Sequence, residues 1–127
     1  VIRHLIRDLR LPVRLRVLPT VREPDGLAMS SRNGALSAAQ RRRAVALYRA
    51  LCAGRVRIRS GERRGGRVAA LMRGLIRAQA GVRLDYAAAV DGRTLEPLRT
   101  LRGRVALLGA VRVGRTRLID NLLVDVP

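Results

Sequence analysis

From Ser37 onward the hydrophobic period changes once, and that change limits the folds open to most of this chain. Between Ser37 and Gln79 apolar residues recur at helical spacing. Ala44, Leu47, Tyr48 and Leu51 form one stripe; Val68, Leu71, Met72, Leu75 and Ile76 form a second at i, i+3, i+4, i+7 and i+8. Ser37 and Gln40 have the capping-box spacing, which predicts the start of the first helix. Gly54 reads as its stop, and Arg55–Gly66 as a turn or loose connection. The second helix is expected over roughly 63–79, with Gly81 ending it and Met72 serving as packing. From Val82 the period becomes two. Val82, Leu84, Tyr86, Ala88 and Val90 alternate with Arg83 and Asp85, which predicts a strand. Asp91-Gly92 makes a turn and 94–98 is irregular. Arg104–Val111 is almost continuously apolar, as in a strand buried on both faces. Val113-Gly114-Arg115 connects it to Thr116–Val126, and these two strands are expected to pair antiparallel. Two helices followed by three strands make a small α+β unit. Its core must be Val, Leu, Ile and Ala, because Tyr48 and Tyr86 are the only aromatic residues.

A different pattern precedes this unit. Ile2, Leu5, Ile6 and Leu9 fall on one face of an amphipathic helix that Pro12 stops, and Val13–Leu18 alternates like a strand. Helix, strand and polar loop form the closing unit of an α/β sheet, in which ligands sit beyond the carboxyl ends of the strands. The loop Pro19–Asn33 leaves the strand at that end. Pro19, Pro24, Asp25 and Gly26 give it a shaped, non-repetitive path. Met29-Ser30-Ser31-Arg32 then offers two hydroxyls and a guanidinium on backbone held between turns, a set suited to a phosphate group. Such tripeptides are equally at home in solvated loops.

Net charge is +18, which points toward a polyanion and supplies a second reading, a basic nucleic-acid-binding module. The pattern of charge argues against it. All the basic residues are arginine, they are dispersed, the longest run is Arg41-Arg42-Arg43, and aromatic stacking platforms are missing. No apolar run reaches the roughly 18–20 residues that cross a bilayer. The N-terminus lacks the ordered regions of a signal peptide and an initiator Met, so Val1 reads as an internal start. The single cysteine, Cys52, excludes an internal disulfide and a cysteine zinc site, and reads as a small buried thiol. His4 reads as a surface residue. Asp120 and Asn121 are expected to bond backbone at a strand irregularity, with no ligand; no metal ligand is named.

The run Pro19-Thr20-Val21-Arg22, Asp25 to Asn33, and Leu36-Ser37 closely resembles the nucleotide loop of the pantothenate synthetase (pantoate–β-alanine ligase) family, one of the HxGH/KMSKS-type nucleotidyltransferase-like enzymes. Leu84-Asp85-Tyr86, Val90-Asp91, Thr94-Leu95, Arg104–Leu108 and Thr116–Asn121 resemble the family's C-terminal domain less specifically. The resemblance implies an α/β protein: residues 1–20 end a Rossmann-like parallel sheet domain, 21–36 are the ATP loop and hinge, and 37–127 are a small α+β lid domain with antiparallel strands. It implies ATP and Mg²⁺, the substrates pantoate and β-alanine, a cytoplasmic location, and a homodimer for the full-length enzyme. Val21, Met29, Ser30, Ser31 and Arg32 would meet ATP, with Ser30, Ser31 and Arg32 on the phosphates. The family's HxGH histidines, a Lys-Asp pair and a pantoate-binding Gln are expected upstream of Val1, so the chain reads as a C-terminal part with no ligase activity by itself. A nucleotide-binding module without chemistry is a third reading. Gly34-Ala35 departs from the family, which carries a Tyr there, and Ala87-Ala88-Ala89 replaces a more polar stretch.

Overall fold

A computed structural model describes residues 1–127. Helix α1 spans Ile2–Asp8, α2 Ala38–Arg59 and α3 Gly65–Arg77; strands β1 (Val82–Asp91), β2 (Gly103–Val113) and β3 (Thr116–Val126) follow. The strands form one antiparallel sheet in the order β1-β2-β3. The β2–β3 turn is two residues, Gly114-Arg115, because Val113 pairs with Thr116. Helices α2 and α3 pack on one face: α3 lies mainly against β1, and α2 against β2 and β3. Leu51, Met72, Ile76, Leu107, Val105 and Val111 are fully buried between the layers, a core of aliphatic residues as the composition requires. Burying each such side chain contributes roughly 1.5–3 kcal/mol.

The capping box at the start of α2 is present. Gln40 N–H donates to Ser37 Oγ (3.1 Å) and Ser37 N–H to Gln40 Oε1 (2.9 Å). The end of α2 differs from expectation. Gly54 does not stop the helix, which continues to Arg59, so 55–59 is helix and not a loose connection. Gly54 is there because the layers meet at it. A Cβ on Gly54 would lie 2.9 Å from Met72 Sδ and 3.1 Å from Leu107 Cδ1. Cys52 is half-buried, more open than a core thiol, and Arg55 Nη2 approaches its sulfur at 3.8 Å.

Uninterrupted alternation along β1 would put Val82, Leu84, Tyr86, Ala88 and Val90 on one face. The register shifts between Leu84 and Tyr86, where Asp85 forms a bulge. An extra residue reverses the facing of everything beyond it. Val82 and Leu84 face the helices, and after the bulge Ala87 and Ala89 do. Tyr86 turns to the other face, beside Leu108 and Ile119.

The first twenty residues differ in kind from the rest. Helix α1 forms, yet buries no residue. Ile2, Leu5 and Leu9 of its apolar face are exposed, and so are Val13, Leu15, Val17 and Leu18 beyond it. His4 is exposed, as expected. Val13–Leu18 is not a strand: the segment has no ladder partner, and alternation yields a strand only where another strand accepts its backbone bonds.

Two outcomes follow from the packing. Gly54→Val forces a branched side chain between Met72 and Leu107 and is expected to lower stability by about 1–3 kcal/mol. A lower urea midpoint with an unchanged slope will register it. The second concerns Asp91. Its Oδ1 accepts the backbone N–H of Thr94 (2.9 Å) and of Arg93 (2.8 Å). These bonds hold its carboxyl below the usual carboxylate range, Thr94 contributing most. A folded-state value below the unfolded one stabilises the fold above the unfolded pKa, and the gain disappears as pH falls through the folded value. Asp91→Asn keeps an acceptor without the titration. Its unfolding midpoint is expected to fall less steeply than the parent's between neutral pH and acid.

Candidate functional site

Two backbone devices shape the loop. Residues 21–29 form a small hairpin: Met29 N–H donates to the Val21 carbonyl (2.9 Å) and Glu23 N–H to the Leu27 carbonyl (2.8 Å). Pro24-Asp25 sits at its tip, closed by Gly26 N–H to the Glu23 carbonyl (2.9 Å), with Asp25 Oδ1 accepting from Leu27 N–H. Residues 31–35 then make one 3₁₀ turn, which Ser30 Oγ caps by accepting from Arg32 N–H (3.2 Å). Asn33 ties the two together, its Nδ2 donating to the Ala28 carbonyl (3.0 Å). Pro and Gly in the tip and Ser at the cap are the residues such turns favour.

The hairpin is fastened to the domain by Arg22. Its Nη1 donates to Asp120 Oδ2 and its Nη2 to Asp120 Oδ1 (2.9 Å), a bidentate pair spanning 98 residues of sequence. Nη1 also donates to the Gly26 carbonyl (3.1 Å) and Nη2 to the Asn121 carbonyl (3.2 Å). The guanidinium carbon stands 4.2 Å from the centroid of the Tyr48 ring. The Asp120 hydrogen bond raises the Arg22 pKa above its ordinary value, against the opposing effect of burial. The Asp120 side chain is 3% exposed, so its charge needs this partner. Gly26, at φ 97°, lies flat against Tyr48, where an added Cβ would fall 2.1 Å from the ring.

Asp120 therefore departs from the sequence expectation. Strand β3 pairs with β2 without any irregularity. Asp120 does accept from a backbone N–H, that of Asn121 (2.7 Å), but its main partner is Arg22. The sequence carries a signal for this that the local reading passes over: alternation along β3 puts Asp120 on the inner face with Leu118 and Val124, and a carboxylate there demands a cation.

A cavity of about 340 Å³ lies between the loop and the sheet, lined by Met29, Ser30 and Arg32 on one side and by Tyr86, Leu108 and Ile119 on the other. Three of the predicted site residues are thus brought together. Val21 stands at the foot of the hairpin, exposed, with its carbonyl taken by Met29; Ser31 is exposed on the 3₁₀ turn; neither lines the cavity. Every arginine the loop and its neighbours bring here has a carboxylate within reach, with one exception. Asp85 takes Arg117 (3.0 Å) and Arg112 (3.6 Å), and Arg41 spans Glu23 (3.8 Å) and Asp25 (3.6 Å). Arg32 has no carboxylate partner; its Nη1 donates only to the Arg117 carbonyl, at 3.3 Å. It is a cation with its charge uncompensated, facing a part-apolar cavity.

Such an arrangement mounts a guanidinium without a carboxylate partner beside a cavity on a small α/β domain. The family model described as pantoate-beta-alanine ligase matches residues 1–123, and the chain belongs to that family. It is 48% identical over 126 residues to a pantothenate synthetase of Moorella thermoacetica, covering 99% of this chain and 44% of that protein. A Roseiflexus pantothenate synthetase is likewise 48% identical, with 98% and 45% covered. The crystal structure of a pantothenate synthetase from Thermus thermophilus superposes with a TM-score of 0.90 at 42% identity, over 96% of this chain and 44% of that one. A pantoate-beta-alanine ligase from Francisella tularensis, solved with beta-gamma ATP and beta-alanine, gives 0.55 at 26% identity, over 96% and 38%. The chain thus spans less than half the length of these relatives. The nucleic-acid reading, carried by charge alone, finds no support among them.

Replacing Gly26 by Ala sets a methyl against Tyr48 at a φ that L-residues avoid. A loss of about 1–3 kcal/mol is expected. The ring resonances of Tyr48 should shift at the same time, which separates this local effect from general loosening.

Proposed function

We propose that this chain supplies the ATP loop and the domain carrying it to a pantoate–β-alanine ligase. The observation that carries the reading is the uncompensated guanidinium of Arg32 beside Ser30 on the loop cavity. In the reaction the family implies, a pantoate carboxylate oxygen attacks the α-phosphorus of ATP. Pyrophosphate leaves and pantoyl-adenylate forms. The amine of β-alanine then attacks the acyl carbon, AMP departs with the bonding electrons, and the amine loses its proton. Charge builds on phosphate oxygens in the first step, and a preoriented cation in a partly apolar cavity opposes that build-up. Arg32 fills that role here, with the Ser30 and Ser31 hydroxyls as single donors. Ser30 Oγ already accepts from Arg32 N–H, so its O–H remains to donate outward. Val21 and Met29 would border the nucleoside.

The carboxylates flanking the loop do not suit Mg²⁺: Asp120 is held by Arg22, and Glu23 and Asp25 share Arg41. No three His, Cys, Asp or Glu side chains are grouped for a metal, and no step is routed through one. The division into 1–20, 21–36 and 37–127, with the last acting as a lid, belongs to the same reading. So do a homodimeric, cytoplasmic enzyme and the need for an HxGH-bearing half. No helix is long and apolar enough to cross a membrane.

The test joins this segment to such a half and measures pantoate-dependent pyrophosphate release. Arg32→Ala is expected to lower the rate about 10²–10³-fold, the range for losing one preoriented donor to a developing oxyanion. The 127-residue chain alone is expected to form no pantothenate. Undiminished turnover of Arg32→Ala would sink the reading.

A further inference from the structure

We propose that Arg22 and Asp120 are positioning residues for the phosphate loop: their pair, closed over by Tyr48, sets where Met29–Arg32 stand and ties them to β3. The inference rests on the phosphate reading of that loop. Arg22 is the point where three separately built parts meet. Its guanidinium spans the Asp120 carboxylate on the inner face of β3, the Asn121 carbonyl on the same strand, the Gly26 carbonyl in the hairpin tip, and the Tyr48 ring on α2. Residue 22 pairs with Ala28 across the hairpin, and Met29 begins the segment credited with ATP contact. From the clamp to Ser30 the chain is tied at nearly every step: Arg22 to Ala28, Val21 to Met29, and Ala28 to Asn33. Little freedom is left between Asp120 and the Ser30–Arg32 backbone.

The clamp also sorts the two arginines. Asp120 neutralises Arg22 and fills its fork, so Arg22 is not free to compete for an incoming anion. Arg32 is free to do so, being held only through a neutral carbonyl. Without Asp120, Arg22 would be a second loose cation within the loop, able to draw the phosphates toward the hairpin and away from the reacting position. Misplacement of that kind lowers rate far more than it lowers stability, because the reacting atoms must lie within a fraction of an ångström of their productive geometry.

Asp120→Asn keeps the shape and removes the charge, and Arg22→Lys keeps the charge and removes the fork. Both go into the ligase described above, with Val124→Ala, in the core on the same strand and away from the cavity, as a control for simple loss of core packing. Each clamp variant is expected to lower kcat/KM for ATP about 10–100-fold, with KM for β-alanine within about twofold of the parent. Amide exchange of residues 21–33 in the 127-residue chain should speed up at least about tenfold, with the β1–β3 amides unchanged. Val124→Ala should speed exchange in the sheet and leave kcat/KM for ATP within about threefold. Arg32→Ala is run alongside. If it leaves kcat/KM for ATP intact, the phosphate reading itself has failed. If it lowers that ratio while Asp120→Asn and Arg22→Lys change neither the ratio nor loop exchange, the positioning role is overturned and the phosphate reading stands. Should either clamp variant not fold, the loop exchange and the ATP ratio of the other decide the matter.

Discussion

A carboxylate on the inner face of a strand is the constraint from which the site geometry follows. Asp120 sits among the aliphatic residues beneath α2, where an unpaired charge would cost several kcal/mol. Its partner arrives from 98 residues away. Arg22 can reach it only if the hairpin folds down against Tyr48, and the hairpin can lie that close only because residue 26 has no side chain. Burial of one charge thereby fixes the path of a loop that has almost no buried side chains of its own; Leu27 is the exception. A buried pair of this kind is weak evidence of net stability, since a well-packed apolar pair does as well. Its value is geometric: two parallel hydrogen bonds accept one orientation, whereas an aliphatic contact accepts many.

The bulge at Asp85 does comparable work on the far side of the cavity. By shifting the facing of β1 it gives α3 a surface of small residues, Ala87 and Ala89, and sends Tyr86 to the cavity. The displaced Asp85 then collects Arg112 and Arg117. One extra residue thus sets the helix contact, supplies an aromatic wall, and removes a competing cation from the neighbourhood of Arg32.

Much of this is legible in the sequence, and the differences have physical causes. Helices α2 and α3 and all three strands follow from local periodicity, because each buries one face against a neighbour and the pattern records that face. Periodicity does not tell a glycine that ends a helix from one that lets a helix approach another layer, so Gly54 reads as a stop when it is a contact. It does not show a bulge, since Leu84-Asp85-Tyr86 reads as unbroken alternation. It predicts a strand at Val13–Leu18, where the alternation is present and the pairing surface is not. The loop is legible as a motif, residue by residue from Pro19 to Asn33, yet its mounting is not. Asp120 demands a cation, but the chain has 27 candidates, all arginine, and nothing local selects Arg22 among them.

That arginine excess makes charge pairing, more than charge itself, the informative quantity. With 27 cations against 9 carboxylates most arginines must go without a partner, so an unpaired arginine on the open surface says little. Around the loop cavity the position is reversed. There the carboxylates are concentrated: Glu23, Asp25, Asp85 and Asp120 each hold an arginine, and Asp85 holds two. In a neighbourhood where Arg22 and Arg41 have carboxylates of their own and Arg112 and Arg117 share Asp85, the one guanidinium left without any carboxylate is Arg32, and it lines the cavity. Dispersed positive charge gives an anion no reason to prefer one place on a surface, but a cation free of any carboxylate among engaged neighbours does. The local carboxylates thus set Arg32 apart as much as its own position does, by engaging the other arginines around it.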